Sequence, residues 1–338
     1  MDELELKSLV EYYSNQRISS KPDVLGQNPK LFIRLKSSNL FDDLFKSLNG
    51  KNSHYITAFN ELFNSDTNEQ YIPKFVSVLA KSVRDEVHGI YGEVVGSRLA
   101  NAMGYDTVFN IAPTFNDKDI ALCNKDSLEH TLRTKTVFSV DMIPYGWDSY
   151  TFNDIIGGRG TRNNNTLEQN LNVIQNILPL VFKTKCKIAL TDEQINEIKR
   201  SYVEQFLFRV VLCRETDFYA RNAGLVFNLT THEVRLMPNF DMEFCFSNLP
   251  LSEEERMCQD NLIAQTIKFC ADNYPQELSN FMSKVGKLYN SGKLEKILRD
   301  SIKMDSHIID SKVKLLDYQF VLMQDCRNHC NPTNSNLM

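Results

Sequence analysis

The chain has 338 residues, of which 42% are hydrophobic and 24% charged, enough apolar material for one large core or two modest ones. Its 38 basic and 43 acidic residues give a net charge of −5, which excludes a global electrostatic bias towards nucleic acid or anionic membranes. No apolar run is long enough to cross a bilayer, and the acidic start MDELELKSL lacks the apolar region of a secretory signal. We therefore expect a cytoplasmic protein with no membrane span and no direct nucleic-acid partner.

The first part of the chain alternates strands with one helix. β-Branched and aromatic residues between turn residues predict strands at 30–35, 54–59, 71–78 and 136–143. The segment EVVGSRLANAMG (93–104) has apolar residues at helical spacing and ends on a glycine, which is typical of a helix C-terminus.

After a loop rich in Gly, Arg and Asn at 157–165, the sequence becomes mainly helical. A short hairpin is predicted from two strand-and-loop segments, DFYARNAGLVFN (217–228) and VRLMPNFDMEF (234–244). Amphipathic spacing predicts helices at 166–178, 191–212, 262–271 and 293–302.

This order of elements predicts an α+β protein of two lobes. The N-terminal lobe would cover residues 1–143, with a β-sheet and one glutamate-bearing helix. The C-terminal lobe would cover residues 144–338 and would be mainly helical, with the loops that carry the chemistry.

Three side chains of the C-terminal part suit phosphoryl transfer, which needs a carboxylate to orient the attacking hydroxyl and oxygen ligands for Mg²⁺. Asp217 and Asn222 have the Asp-x-x-x-x-Asn spacing between a helix and a strand, and the predicted hairpin returns Asp241 towards Asn222. The alternative interpretation is that all three residues are local caps of turns.

Lys74 and Glu93 are the candidate pair of the N-terminal part. Lys74 lies in the apolar strand YIPKF, where a lysine is costly to bury without a partner, and Glu93 opens the next helix. Such a pair could present an ammonium group to nucleotide phosphates. The alternative is two unrelated exposed charges.

These segments resemble the HipA family of serine/threonine kinases. DFYARNAGLVF followed by RLMPNFD is similar to that family's Asp-x-His-x-Lys-Asn loop, strand and Pro-x-x-Asp segment. EVVGSRLANAMGY is similar to its Asn-Glu helix, and YIPKF is similar to its lysine strand. The resemblance covers about residues 48–330 and implies a bilobal protein-kinase-like fold that uses ATP and Mg²⁺.

The resemblance also implies roles for individual residues. Asp217 would be the catalytic base, Asn222 and Asp241 would bind Mg²⁺, and Lys74, oriented by Glu93, would hold the ATP phosphates. The segment 47–57 falls at the family's phosphate loop, and 140–143 at the hinge that contacts adenine. The remaining nucleotide contacts would come from Asn49, Gly50, Ser53, Asp141 and Ile143.

The sequence departs from the family pattern at two places. The phosphate-loop segment has one glycine in a different order, and in the catalytic loop Arg221 replaces the family's lysine while Phe218 and Tyr219 replace its histidine region. Many relatives are toxins controlled by a small DNA-binding antitoxin, and some are silenced by phosphorylation of a phosphate-loop serine, here Ser53 or Ser47. The interpretations left open are an active protein kinase, a pseudokinase that acts as a binding module, and a small-molecule or lipid kinase.

Overall fold

The computed structural model describes residues 30–36, 75–82, 89–108, 110–111, 136–140, 147–155, 166–218, 220–246, 252–302 and 304–330. Over these residues the chain is a mixture of helix and sheet in which helix predominates. None of the described helices is both long enough and apolar enough to span a membrane.

Four strands form the first sheet, in the order β1-β2-β4-β3 with antiparallel pairing throughout. They are β1 (Lys30–Lys36), β2 (Phe75–Ser82), β3 (Asn110–Ile111) and β4 (Thr136–Val140). The strand predicted at 30–35 is therefore confirmed. Of the strand predicted at 71–78, residues 75–78 lie in β2, which continues to Ser82, and residues 71–74 lie outside the described residues. The strand predicted at 54–59 lies outside the described residues.

Helix α1 (Gly89–Met103) follows β2 and packs into the core through Val95 and Leu99. It begins four residues earlier than the sequence predicts, so Glu93 lies within the helix rather than at its start. Gly104 has a φ of 77° and ends the helix, because a residue without a Cβ adopts the left-handed conformation readily.

A second, three-stranded antiparallel sheet has the order β5-β6-β7. The hairpin of β6 (Gly224–Asn228) and β7 (Val234–Leu236) matches the prediction, and its turn is closed by Asn228 Oδ1, which accepts from the next backbone amides. Strand β5 (Trp147–Thr151) was not predicted; it is held by pairing with β6, a partner distant in sequence.

The remaining α-helices of the described residues are α2 (Phe152–Ile155), α3 (Leu167–Asn176), α4 (Leu178–Val181), α5 (Asp192–Phe206), α6 (Glu253–Asn273), α7 (Pro275–Asn290), α8 (Lys293–Asp300) and α9 (Ser306–Cys330). A π-helical turn (Phe182–Cys186) follows α4. Capping boxes begin α3, α5 and α6, so local sequence sets these three starts.

The helix predicted at 191–212 changes character before its end. After α5 the backbone widens into a π-helical turn (Leu207–Leu212), in which the Cys213 amide bonds to the Phe208 carbonyl. Such turns are rare and are frequent at functional sites. This one is completely buried in the core that α1, the second sheet and helices α5 to α9 share.

Candidate active site

The loop between the π-helical turn and β6 contains Asp217 and Asn222. The Asn222 side chain donates from Nδ2 to the Asp217 carbonyl oxygen at 2.6 Å, so the five-residue spacing closes the loop on itself. With its nitrogen committed to this bond, the amide oxygen is the end of Asn222 that can ligate a cation. Local chemistry thus brings the two residues together.

The Asp217 carboxylate is paired with Arg221. Nη2 of Arg221 lies 3.1 Å from each carboxylate oxygen of Asp217. The Arg221 side chain is 36% exposed and the Asp217 side chain is 24% exposed. The pair is therefore open to solvent, and an approaching hydroxyl group could reach the carboxylate if the arginine turned away.

Asp241 lies in the loop that follows β7, at a φ of 57°. Aspartate tolerates the left-handed region better than most residues, yet the position remains uncommon and marks a constrained backbone. The loop is tied to the residues after α1: the Asn239 amide donates to the Asp106 carbonyl, and the Val108 amide donates to the Asn239 carbonyl. These bonds hold the loop at a point two residues before Asp241.

A single arginine joins the two loops. The Arg209 guanidinium donates to the Asn222 carbonyl at 3.1 Å, to the Phe240 carbonyl at 2.7 Å and to the Asp241 carbonyl at 2.9 Å. Its other two N–H groups donate to the Glu215 carboxylate, each at 2.6 Å. All five donors of the guanidinium are therefore used, and its side chain is fully buried.

The pair of Arg209 and Glu215 is an ion pair in the protein interior. Burial raises the pKa of the Glu215 carboxyl to about 7, and the adjacent guanidinium opposes that shift. Burial also works to lower the pKa of Arg209, but the contacts with Glu215 outweigh it and leave that pKa above its ordinary value. The arginine stays charged at all relevant pH values.

Glu93 reaches the same loop from α1. Its Oε2 accepts from the Met242 amide at 3.0 Å and from Asn110 Nδ2 at 3.0 Å, and the residue is 1% exposed. Asn110 Nδ2 also donates to the Glu93 carbonyl, and its Oδ1 accepts from Ser139 on β4. A chain of hydrogen bonds thus runs from the first sheet through Glu93 to the residue after Asp241.

The structure therefore places Glu93, Asp217, Asn222 and Asp241 around one pair of loops, linked through Arg209 and the Met242 amide. The other predicted site residues lie outside the described residues, and their roles stay predictions: Lys74, Asn49, Gly50, Ser53, Asp141 and Ile143.

Sequence reasoning missed Arg209, Glu215 and Asn110. A signal for the arginine was present: Arg209 is the one charged residue in the apolar run FLFRVVLC, and a buried arginine requires a paired acid. The sequence contains no comparable signal for Asn110, because its partner Glu93 lies on a different element.

The donor set fits a magnesium ion that shares its coordination with phosphate. The described residues contain no group of three or more His, Cys, Asp or Glu side chains that could hold a metal by themselves. Mg²⁺ usually takes one or two carboxylates and completes its shell with water and substrate phosphates. The Asp241 carboxylate and the Asn222 amide oxygen suit that arrangement.

The solved structures that are similar to the chain include a kinase and a complex of HipA with HipB and DNA. The Helicobacter pylori proinflammatory kinase CtkA matches at 13% identity with a TM-score of 0.48, over 75% of this chain and 90% of that one. A chain of the Shewanella oneidensis MR-1 HipA, HipB and operator DNA complex matches at 10% identity with a TM-score of 0.48, over 76% of this chain and 64% of that one. This chain thus spans less than two thirds of the Shewanella chain. No protein-family model matches the sequence, and no curated protein does.

Proposed function

We propose that the chain is a HipA-like kinase that transfers the γ-phosphate of ATP to a serine or threonine hydroxyl of a protein. The observation that carries this proposal is the convergence of Asp217, Asn222 and Asp241 on two loops joined by Arg209. Phosphoryl transfer requires a carboxylate that orients the attacking hydroxyl. It also requires oxygen ligands that bind Mg²⁺.

In this proposal Asp217 accepts the proton of the attacking hydroxyl. The hydroxyl oxygen bonds to the γ-phosphorus, the bond to the β,γ-bridging oxygen breaks, and ADP departs with that electron pair. Asn222 and Asp241 hold Mg²⁺, which neutralises charge on the phosphates when it is bound. Glu93 acts on the backbone next to Asp241, which it fixes through the Met242 amide, and we propose that it also orients Lys74.

The two-lobe organisation belongs to the same proposal. Residues 1–143 would supply the phosphate loop and, at 140–143, the adenine-binding hinge; residues 144–338 would supply the catalytic and metal-binding loops. The protein would act in the cytoplasm on a protein substrate, under the control of a small DNA-binding antitoxin. These assignments follow the sequence resemblance.

A pseudokinase is the second candidate, and the contact between Arg221 and Asp217 favours it. A catalytic base needs a carboxylate oxygen that a substrate hydroxyl can reach, and here one guanidinium nitrogen lies 3.1 Å from both oxygens. If the contact persists with nucleotide bound, the chain would bind ATP without turning it over.

The test is phosphoryl transfer from labelled ATP with Mg²⁺, measured for the wild type and for Asp217→Ala. Removing a general base lowers the rate by about 10²- to 10⁴-fold, while affinity for an ATP analogue should stay within a few-fold of the wild type. Asp272→Ala is the matched control, because that aspartate lies in an exposed helix and pairs with Lys268. Equal activity in wild type and Asp217→Ala would refute the assignment, and nucleotide binding without any transfer would support the pseudokinase.

A further inference from the structure

Arg209 makes contacts that no single local purpose explains. Two of its five hydrogen bonds go to Glu215, one goes to the backbone of the catalytic loop at Asn222, and two go to the backbone of the metal loop at Phe240 and Asp241. Its planar face also lies 4.3 Å from the centre of the Phe218 ring. An ion pair between Arg209 and Glu215 alone would use only the two bonds to the Glu215 carboxylate.

We infer that Arg209 is a positioning residue that sets the separation of the two proposed Mg²⁺ ligands, Asn222 and Asp241, and thereby the affinity of the site for Mg²⁺-bound nucleotide. This inference rests on the proposed kinase function. Asn222 and Asp241 lie on different loops, and their backbone carbonyls accept from the same rigid guanidinium. A metal site requires its ligands to be held within about 0.5 Å of their working geometry.

The chemistry of arginine suits this positioning role. Its N–H groups point in fixed directions within one plane, so the carbonyls that they bind cannot move independently. A lysine would present a point charge with three rotatable donors and could not hold five acceptors. The conservative change Arg209→Lys therefore keeps the positive charge beside Glu215 and removes the rigid connection between the loops.

Glu215 balances the positive charge of Arg209. A buried Arg209 guanidinium without a counter-charge would repel Mg²⁺ from the two loops that it binds. The Glu215 carboxylate, 2.6 Å away, compensates that positive charge. The side chain of Glu215 is fully buried, so its carboxylate serves the pair and is not exposed as a metal ligand. Glu215→Gln would keep the hydrogen-bonding shape and leave the guanidinium charge uncompensated.

Arg214 offers a matched control in the same segment. It is also buried, and it bonds Asp260 at 2.7 Å, Gln319 at 3.0 Å and Gln259 at 3.0 Å. These partners lie on α6 and α9, and none of the three is a residue of either loop. Arg214→Lys thus disturbs a comparable buried guanidinium without touching the proposed connection.

The experiment compares the full-length wild type, Arg209→Lys and Arg214→Lys. Calorimetric titration with a non-hydrolysable ATP analogue at several Mg²⁺ concentrations gives the half-saturating Mg²⁺ concentration, and thermal unfolding gives the loss of stability. Loss of a residue that orients metal ligands costs about 10- to 100-fold in metal affinity. We expect Arg209→Lys to raise the half-saturating Mg²⁺ concentration by that factor, with a parallel fall in kcat when Mg²⁺ is below saturation. Both variants should lose stability, but Arg214→Lys should leave the Mg²⁺ titration within twofold of the wild type.

Three outcomes would overturn the inference. An unchanged Mg²⁺ titration for Arg209→Lys would do so, as would an equal shift for Arg214→Lys, because the effect would then be one of general stability. If Arg209→Lys fails to fold, amide hydrogen exchange of the wild type decides: saturating Mg²⁺ with the ATP analogue should slow exchange of residues 217–222 and 239–246 together, and slower exchange in one of the two loops alone overturns the inference.

If the proposed kinase function is wrong, the same titrations would give a different result. A folded wild type that binds no ATP analogue at any Mg²⁺ concentration would refute the kinase proposal itself. Amide hydrogen exchange would then test the connection alone: residues 217–222 and 239–246 should exchange faster together in Arg209→Lys, but not in Arg214→Lys. Independent changes in the two loops would show that the arginine does not join them.

Discussion

The contact between α1 and the loop after β7 (residues 237–246), the metal loop of the proposal above, depends on Gly92. A Cβ atom built at this position would lie 2.3 Å from the Glu243 carbonyl oxygen and 2.7 Å from the Met242 carbonyl oxygen. Real Cβ atoms do not approach backbone oxygens so closely, so Gly92→Ala must push the helix and the loop apart by about 1 Å. The bond from the Met242 amide to Glu93, which crosses this contact, would lengthen or break.

The cost can be worked from these contacts. Overpacking a well-packed interior costs about 1 to 3 kcal/mol, and here the obstacles are backbone atoms that cannot rotate away, so we expect about 3 kcal/mol. Alanine offsets about 1 kcal/mol of this loss of stability, because it forms helix more readily than glycine does. The free energy of unfolding should therefore fall by about 2 kcal/mol, and the affinity for Mg²⁺-bound nucleotide should fall with it.

Urea denaturation measures the first effect, and Gly286→Ala is the control. Gly286 lies inside α7, and a Cβ there would meet nothing within 4 Å, so the same substitution should stabilise the protein by about 0.5 to 1 kcal/mol. If Gly92→Ala unfolds at the same urea concentration as the wild type, the close approach of α1 to the metal loop is wrong.

Three further predictions concern the first sheet and the segments next to it. Asn110→Ala should cost about 1 to 3 kcal/mol of stability and lower kcat, because it removes one donor from the buried carboxylate of Glu93 and one from its carbonyl; urea denaturation and steady-state kinetics measure the two effects. Lys74→Met should abolish productive ATP use in the transfer assay, whereas Lys36→Met, which removes a lysine at the end of β1, should be tolerated. Wild-type protein incubated with ATP and Mg²⁺ should become phosphorylated at Ser53 and lose activity, because the added charge repels the triphosphate; mass spectrometry of residues 47–57 detects the change.

Each of these has a result that contradicts it. Wild-type stability of Asn110→Ala would mean that its bonds to Glu93 contribute nothing. Loss of activity in Lys36→Met but not in Lys74→Met would assign the phosphate-binding lysine to β1. An unmodified 47–57 peptide from a preparation that phosphorylates other substrates would exclude self-silencing through that segment.

Much of the secondary structure followed from local sequence. Apolar spacing located α1, α3 and α5, and two strand-like segments on either side of a turn located the hairpin. These signals are local because a cap or a turn is made by residues a few positions apart, so each can be interpreted without knowledge of the fold. The pairing of Asp217 with Asn222 belongs to this class, since five residues separate them.

The contacts that organise the candidate site join residues that lie far apart in the sequence. Glu93 and Met242 are 149 residues apart in the sequence, and Arg209 reaches Asp241 across 32 residues. No spacing rule specifies which donor a buried glutamate will find or which carbonyls a buried arginine will bind. Strand β5 was missed for the same reason, because its partner β6 lies far along the chain. The sequence by itself determined which residue types were present and where local elements begin. Only tertiary structure decided which of them meet, because a buried charge must find its partners wherever the packed core brings donors and acceptors together.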